Sequence, residues 1–414
     1  MEVFIVLFVG LVCLAIVYRF KKSLYNAPGI YVLMWTCCLG LSTLGLAGLN
    51  RPSSIVVSLG CFSMIIFTFT GLLNTRLITI RGKTAYKNRV NEYEPLTNNL
   101  TLYLLNIIAY MFSFPYLLKA LELIQSVGMY GLRDVAFASS EYASTNVLII
   151  FQTLIGPLFV VTMLLTAIDL SRKFFVKKAL IITIFDVVLY TVLFGGRYML
   201  FQLLIFFLFS MYDGYGGQLK RFINNHKKLI VFVLIIVLIM TIITEFRTSR
   251  GFFESIYIYF CGSFSYLSYL IENQIGTNLY LFGKTQMGFI YNFCYLIISF
   301  LTNINYEGSN QIITQLTQYT VKIGDGISYN SLGTILHDFI ADYGIYGSLI
   351  GIFIFGYACR YIENAKNKTG RSIYYALNIY LLYSTINSVL GYTFRGPGAL
   401  MIILYIFLFC RRKK

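Results

Sequence analysis

The sequence predicts an all-α polytopic membrane protein with about eleven transmembrane helices. Three observations predict it. First, 57% of the 414 residues are hydrophobic and only 12% are charged, with a mean hydropathy of +0.71. A water-soluble domain of that balance would expose too much apolar surface. Second, the apolar residues gather into uncharged runs of roughly span length. Third, the basic residues gather in the gaps between those runs, where they sort onto one side of a membrane.

In chain order the runs lie at 2–18, 27–49, 54–74, 99–121, 147–170, 179–194, 198–211, 229–244, 342–359, 372–390 and 398–410. The first lacks a basic region before it and a small-residue cleavage site after it, so it reads as a helix rather than a signal peptide. Several runs are shorter than the ~20 residues an upright span needs, so their ends extend into the flanking segments.

Basic clusters follow these runs at Arg19/Lys21/Lys22, Arg76/Arg81/Lys83/Lys87/Arg89, Arg172/Lys173/Lys177/Lys178, Lys220/Arg221/Lys227/Lys228, Arg360/Lys366/Lys368/Arg371 and Arg411/Arg412/Lys413/Lys414. They hold 24 of the 33 Lys and Arg, and all fall on one side if the chain alternates through eleven spans. The positive-inside rule then places the N-terminus outside and the C-terminus in the cytoplasm. The expected organisation is one integrated membrane domain: eight helices over 1–244, a long extracytoplasmic segment over 245–341, and three helices over 342–414. Within the outer segment, 255–271 and 288–302 are apolar and Tyr-rich. They read as interfacial helices or as a further pair of spans, which leaves the topology unchanged. No heptad, low-complexity tract or inverted repeat is evident.

A net charge of +16 would suggest nucleic acid in a soluble protein. Here it is accounted for by cytoplasmic loops, and no nucleic-acid partner is expected. The eight Cys fall mostly in apolar runs, such as Cys37 and Cys38, without metal-ligand spacing. There is no Walker A loop, zinc pattern, Asp-rich metal loop or Gly-x-Ser-x-Gly elbow, so no cofactor or metal is expected.

Nine basic residues remain outside: Arg51, Lys119, Arg133, Arg197, Arg247, Arg250, Lys284, Lys322 and Arg395. Six are Arg, whose planar fork binds phosphate bidentately and stays charged when partly desolvated. Pairing with outer acids such as Asp134, Glu245 or Glu254 is the structural alternative. Three settings favour a ligand. Gly195-Gly196-Arg197 sits between two spans, Arg247 and Arg250 lie three apart after the eighth, and Arg395 lies in the outer turn 391–397. Together these could form a pyrophosphate clamp.

His226 lies in a basic cytoplasmic loop. His337 enters the ninth span from outside beside Asp338 and Asp342. The two carboxylates are i,i+4 and share a helix face, while His337 points elsewhere. The imidazole titrates near neutral pH and can serve as a general base, and Asp338 and Asp342 are catalytic candidates beside it; carboxylates at a helix start also interact favourably with its dipole. Asp186, inside the sixth run, marks a polar interior, or a proton path in a transporter.

Phe194-Gly195-Gly196-Arg197 at an outer junction, the long outer segment, and the run Asn330-Ser331-Leu332-Gly333-Thr334 through Asp338 and Asp342 to Gly344 resemble the Wzy-type polymerases of O-antigen, capsule and related oligosaccharide repeat units. The layout covers nearly the whole chain; the motifs are short.

The resemblance implies a glycosyltransferase-C-like architecture in the bacterial plasma (inner) membrane. The implied activity joins oligosaccharide units carried on undecaprenyl diphosphate at the outer face, with no metal or cofactor. A chain-length regulator is an implied partner. Arg197 and the other outer arginines would bind the diphosphate, Asn330 would contact sugar, and His337 would act as base, a role carried over from the related O-antigen ligases. A flippase or transporter of lipid-linked oligosaccharide, an O-antigen-ligase-like enzyme and a membrane acyltransferase using His337 are the competing readings.

Overall fold

The computed structural model describes residues 1–73, 95–138, 143–172, 174–214, 251–302, 308–317, 320–329 and 333–410. Ten of the eleven expected apolar runs coincide with described helices, and the run 229–244 lies outside the described residues. The helices are α1 (Glu2–Lys21), α2 (Ala27–Ser42), α3 (Ser54–Leu72), α4 (Leu100–Ala138) and α5 (Thr145–Ile150). A π-helical turn (Phe151–Ile155) joins α5 to α6 (Gly156–Ser171). There follow α7 (Lys177–Phe194), α8 (Tyr198–Gly214), α9 (Phe252–Glu272), α10 (Gly288–Thr302), α11 (Ser309–Thr317), α12 (Thr334–Thr369), α13 (Ser372–Asn387) and α14 (Gly398–Phe409). Among the described residues, five helices are long and apolar enough to cross a membrane: Glu2–Lys21, Ser54–Leu72, Leu100–Ser126, Asn146–Ser171 and Thr334–Thr369.

The described residues are mostly helical, as expected, with one small β element beside the helices. Strands β1 (Val321–Gly324) and β2 (Ile327–Tyr329) form an antiparallel hairpin, and Leu49 bridges to Gly324. Asp325-Gly326 between two alternating segments is a short-range hairpin cue, with Gly326 at φ 65° as such tight turns require.

The chain forms two compact units, neither continuous in sequence. The first comprises residues 1–82, 253–369 and 381–400; the second comprises 83–252, 370–380 and 401–414.

In the first unit, α1, α2, α3 and α12 pack around stacked aromatics. Tyr31 lies 4.0 Å from Phe67 and 5.2 Å from Trp35, with Phe264 and Phe355 edge-on to the cluster. Aromatic pairs in these geometries add ~0.5–1.5 kcal/mol each beyond area burial. The sole Trp, Trp35, donates its indole N–H to Ser388 Oγ at 2.8 Å. Asn26 caps α2 by accepting from the Gly29 amide at 3.0 Å. At one end of this unit Glu363 accepts from Lys21 Nζ (2.7 Å) and Arg360 (3.1 Å), and Arg360 Nε donates to the Leu73 carbonyl (3.1 Å). Residues from two basic clusters, and the C-terminus of the helix leading to a third, thus meet at one end.

The second unit packs α4, α6, α7 and α8. Here Arg172 stands beside the start of α13, and the end of α8 packs beside the end of α6. Arg172 lies 5.0 Å from the Tyr375 ring centroid and 3.5 Å from Ser372 Oγ, and Gly214 packs on Ser171.

Candidate functional site

α12 is two helices joined at a kink. Gly344 has φ 75° and ψ 176°, which only glycine adopts readily, and it separates the short segment 334–343 from the longer helix that follows. The kink orphans carbonyls at the end of the short segment. Leu281 N–H donates to the Ala341 carbonyl (3.0 Å) and Phe282 N–H to the Asp342 carbonyl (3.1 Å). The Asp342 carboxylate then receives the next amides: Thr285 N–H on Oδ1 at 2.9 Å and Gln286 N–H on Oδ2 at 2.7 Å. Segment 281–286 is therefore laid across the kink by four backbone donors.

One turn earlier, Asp338 joins a second chain segment to the same helix. Its Oδ1 accepts from Arg395 Nη1 at 3.0 Å and its Oδ2 from the Tyr392 amide at 2.8 Å. The Asp338 side chain is 2% exposed and that of Arg395 is 24% exposed. Arg395 Nε also donates to Asn310 Oδ1 at 2.8 Å, and the Arg395 carbonyl accepts from Asn292 Nδ2 at 2.8 Å. Close approach of backbone is needed here: a Cβ on Gly288 would overlap the Arg395 carbonyl. Two guanidinium nitrogens are thus fixed, and Nη2 has no partner among the described residues. An arginine held by a buried carboxylate and an amide, and still 24% exposed, can act as a preorganised oxyanion donor.

Gln286 ties the segments together. Tyr343 OH donates to its Oε1 (2.7 Å), its Nε2 donates to the Gly351 carbonyl (3.2 Å), and Tyr392 OH donates to its backbone carbonyl (3.0 Å). Ser309 Oγ donates to the Lys284 carbonyl (2.9 Å) and accepts from Asn292 (3.1 Å), so exposed Lys284 flanks the same knot.

His337 is buried and turns away from both carboxylates. Its Nε2 lies 3.3 Å from the Ile275 carbonyl. A carbonyl only accepts, so Nε2 carries the hydrogen and the neutral ring's lone pair is on Nδ1. The start of the helix is strained. Thr334 has φ 63°, uncommon for a β-branched residue, and the next amide, Ile335 N–H, is pinned to the Ser388 carbonyl at 2.8 Å.

Of the residues singled out from the sequence, Asp338 and Arg395 are brought into direct contact. Asp342 anchors the adjoining turn, and His337 lies on another face of the same segment. Arg197 belongs to the second unit, half-buried at the N-cap of α8 just after Gly195, whose φ of 58° ends α7. Arg247, Arg250 and Asn330 lie outside the described residues.

Asn310, Asn292, Gln286 and Tyr392 were not singled out from the sequence. Their roles depend on contacts between segments up to 106 residues apart, and only the unusual Asn density of 292–310 could have hinted at them. Among the described residues no group of three His, Cys, Asp or Glu could hold a metal ion. Compared with family models, curated proteins and solved structures, the chain matches none.

Proposed function

We propose that the protein is a membrane glycosyltransferase of the polysaccharide-polymerase kind, which joins lipid-diphosphate-linked oligosaccharide units at the outer face of a bacterial plasma membrane. The observation that carries this reading is Arg395. It is fixed through Nη1 and Nε, partly desolvated, and its Nη2 has no partner among the described residues.

A lipid diphosphate suits such a group, because charge develops on the departing phosphate as the glycosidic bond breaks. The donor brings its own stored energy, so no nucleotide site is required. Lys284 flanks the knot as a second cation. His337 Nδ1 takes the proton from the acceptor hydroxyl, as a general base must. The sorting of the basic clusters between the apolar runs supports a cytoplasmic face, with the eleven-span arrangement and outward N-terminus that the charge pattern predicts.

Purified protein in proteoliposomes with lipid-linked repeat units tests the reading. A polymer ladder is expected. Unmodified substrate carried between leaflets, with no ladder, overturns it in favour of a flippase. Transfer to a non-identical acceptor alone favours a ligase.

A further inference from the structure

The second unit contains a polar ring that the proposed transfer does not use. Three largely apolar helices each contribute two polar side chains about one turn apart: Asn106 and Tyr110 on α4, Thr162 and Thr166 on α6, Thr183 and Asp186 on α7. Three side-chain hydrogen bonds join them pairwise. Asn106 Nδ2 donates to Thr162 Oγ1 (3.1 Å), Thr183 Oγ1 donates to Thr166 Oγ1 (2.9 Å), and Tyr110 OH donates to Asp186 Oδ1 (2.5 Å). Bonds and helical turns together close a circuit through all three helices. Asn106 and Asp186 are fully buried, and the three threonines nearly so.

The circuit has more acceptors than donors. Asn106 spends its amide on Thr162 and on the Leu102 carbonyl (2.9 Å), and its Oδ1 receives nothing. Asp186 Oδ2 receives nothing either. Thr162 already donates to the Leu158 carbonyl at 2.9 Å. Asp186 sits inside a helix, where neighbouring amides are used by the helix itself, and no described salt bridge reaches it. Two orphan oxygens, one on a carboxylate, thus stand in one hydrogen-bonded circuit of an apolar interior. That arrangement is strongly unfavourable unless positive charge is supplied.

We propose that the ring binds one small monovalent cation of the sodium class between Asp186 Oδ2 and Asn106 Oδ1, with threonine hydroxyls as further ligands. An all-oxygen set suits a hard cation and offers no nitrogen or sulfur for a transition metal. One carboxylate balances one charge, whereas a divalent ion would leave a net charge in the apolar interior.

The test uses full-length protein in nanodiscs, unfolded thermally in sodium chloride and in choline chloride of equal ionic strength. Sodium should raise Tm saturably, as a ligand of the native state does, and Asp186→Asn should abolish the difference. Direct binding of radiolabelled sodium to wild type, displaced by unlabelled sodium but not by choline, covers the case in which the variant does not fold. Equal Tm in the two salts, or no retained sodium, overturns the proposal. So does stabilisation by acid alone irrespective of salt, which would assign the charge to a proton.

Discussion

Asp342 in the first unit and Asp169 in the second are used in the same way. Each is a buried helical carboxylate that accepts two consecutive backbone amides from a distant segment: Thr285 and Gln286 for Asp342, Leu96 and Thr97 for Asp169. Asp169 gains the Thr97 hydroxyl as well, at 2.7 Å. Asp186, also in the second unit, receives a single hydrogen bond, from Tyr110. A carboxylate saturated by amides fixes the course of the chain. One left half-satisfied though equally buried calls for a further partner. Asp338 stands between these cases, with one oxygen on an amide and the other on Arg395, so it fixes a turn and orients a guanidinium at once.

The widest effect should come from the group that this comparison leaves free of carboxylate contact. His337→Ala is expected to lower turnover by ~10²–10⁴-fold, the range for a general base, with binding of the lipid-linked donor little changed. Only the neutral imidazole accepts a proton, so the wild-type rate should fall as pH drops through the imidazole's titration range. A pH–rate profile on wild type and His337→Gln checks this. Near-normal turnover in the Gln variant, with loss in Asp338→Asn or Asp342→Asn, would transfer the role to a carboxylate and undo the division between organisers and reactants.

Next in size is Arg395. Arg395→Ala should cost ~10²–10³-fold in turnover, as removal of one oxyanion donor does. Arg395→Lys should recover little, because a point charge cannot bind Asp338, Asn310 and a ligand at once. Asn310→Ala should act in the same direction more weakly, raising KM for the donor. Full polymer ladders from Arg395→Ala at normal protein levels would take the arginine out of the site.

The helices were legible in the sequence because their cause is local: apolar runs such as 54–74 fold as helices whatever lies beside them. The Asp338–Asp342 face was legible for the same reason, from i,i+4 spacing alone. The knot around Arg395 was not, since it joins residues from α10, α11, α12 and the 391–397 turn through side-chain bonds that leave no periodic trace. The kink at Gly344 was equally hidden. Its glycine is plain in the sequence, but only the amides of 281–286 capping the freed carbonyls make a kink favourable there.

The shared anchoring of Asp342 and Asp169 makes a matched pair of stability predictions. Asn keeps one acceptor but turns its NH₂ toward a backbone N–H, so each Asp→Asn change should destabilise its unit by ~2–4 kcal/mol. Thermal unfolding should show comparable losses for Asp342→Asn and Asp169→Asn. Specific activity per folded molecule should survive in both if anchoring is the whole role. A fall confined to Asp342→Asn would sharpen the comparison, giving that carboxylate a part in the chemistry that Asp169 lacks.

The smallest expected effect separates the two arginines. Arg395 is clamped by Asp338 and Asn310. Arg197 stands at a helix start: Gly195 in the left-handed region ends α7, and the Arg197 carbonyl accepts the Phe201 amide at 3.1 Å as α8 begins. A cation at a helix start gains nothing from the dipole, which favours negative charge there. The same dipole assists an anion bound at that point. Arg197→Lys keeps the charge and the helix-start setting and loses only the fork, so polymerisation should fall by about tenfold, one bidentate contact's worth in transition-state free energy. Arg197→Ala should fall further, and the donor's KM should rise in both. Lys matching wild type while Ala is impaired would mean that charge suffices at this position, making Arg197 a steering residue. Ala matching wild type, with normal protein levels, would remove Arg197 from diphosphate binding.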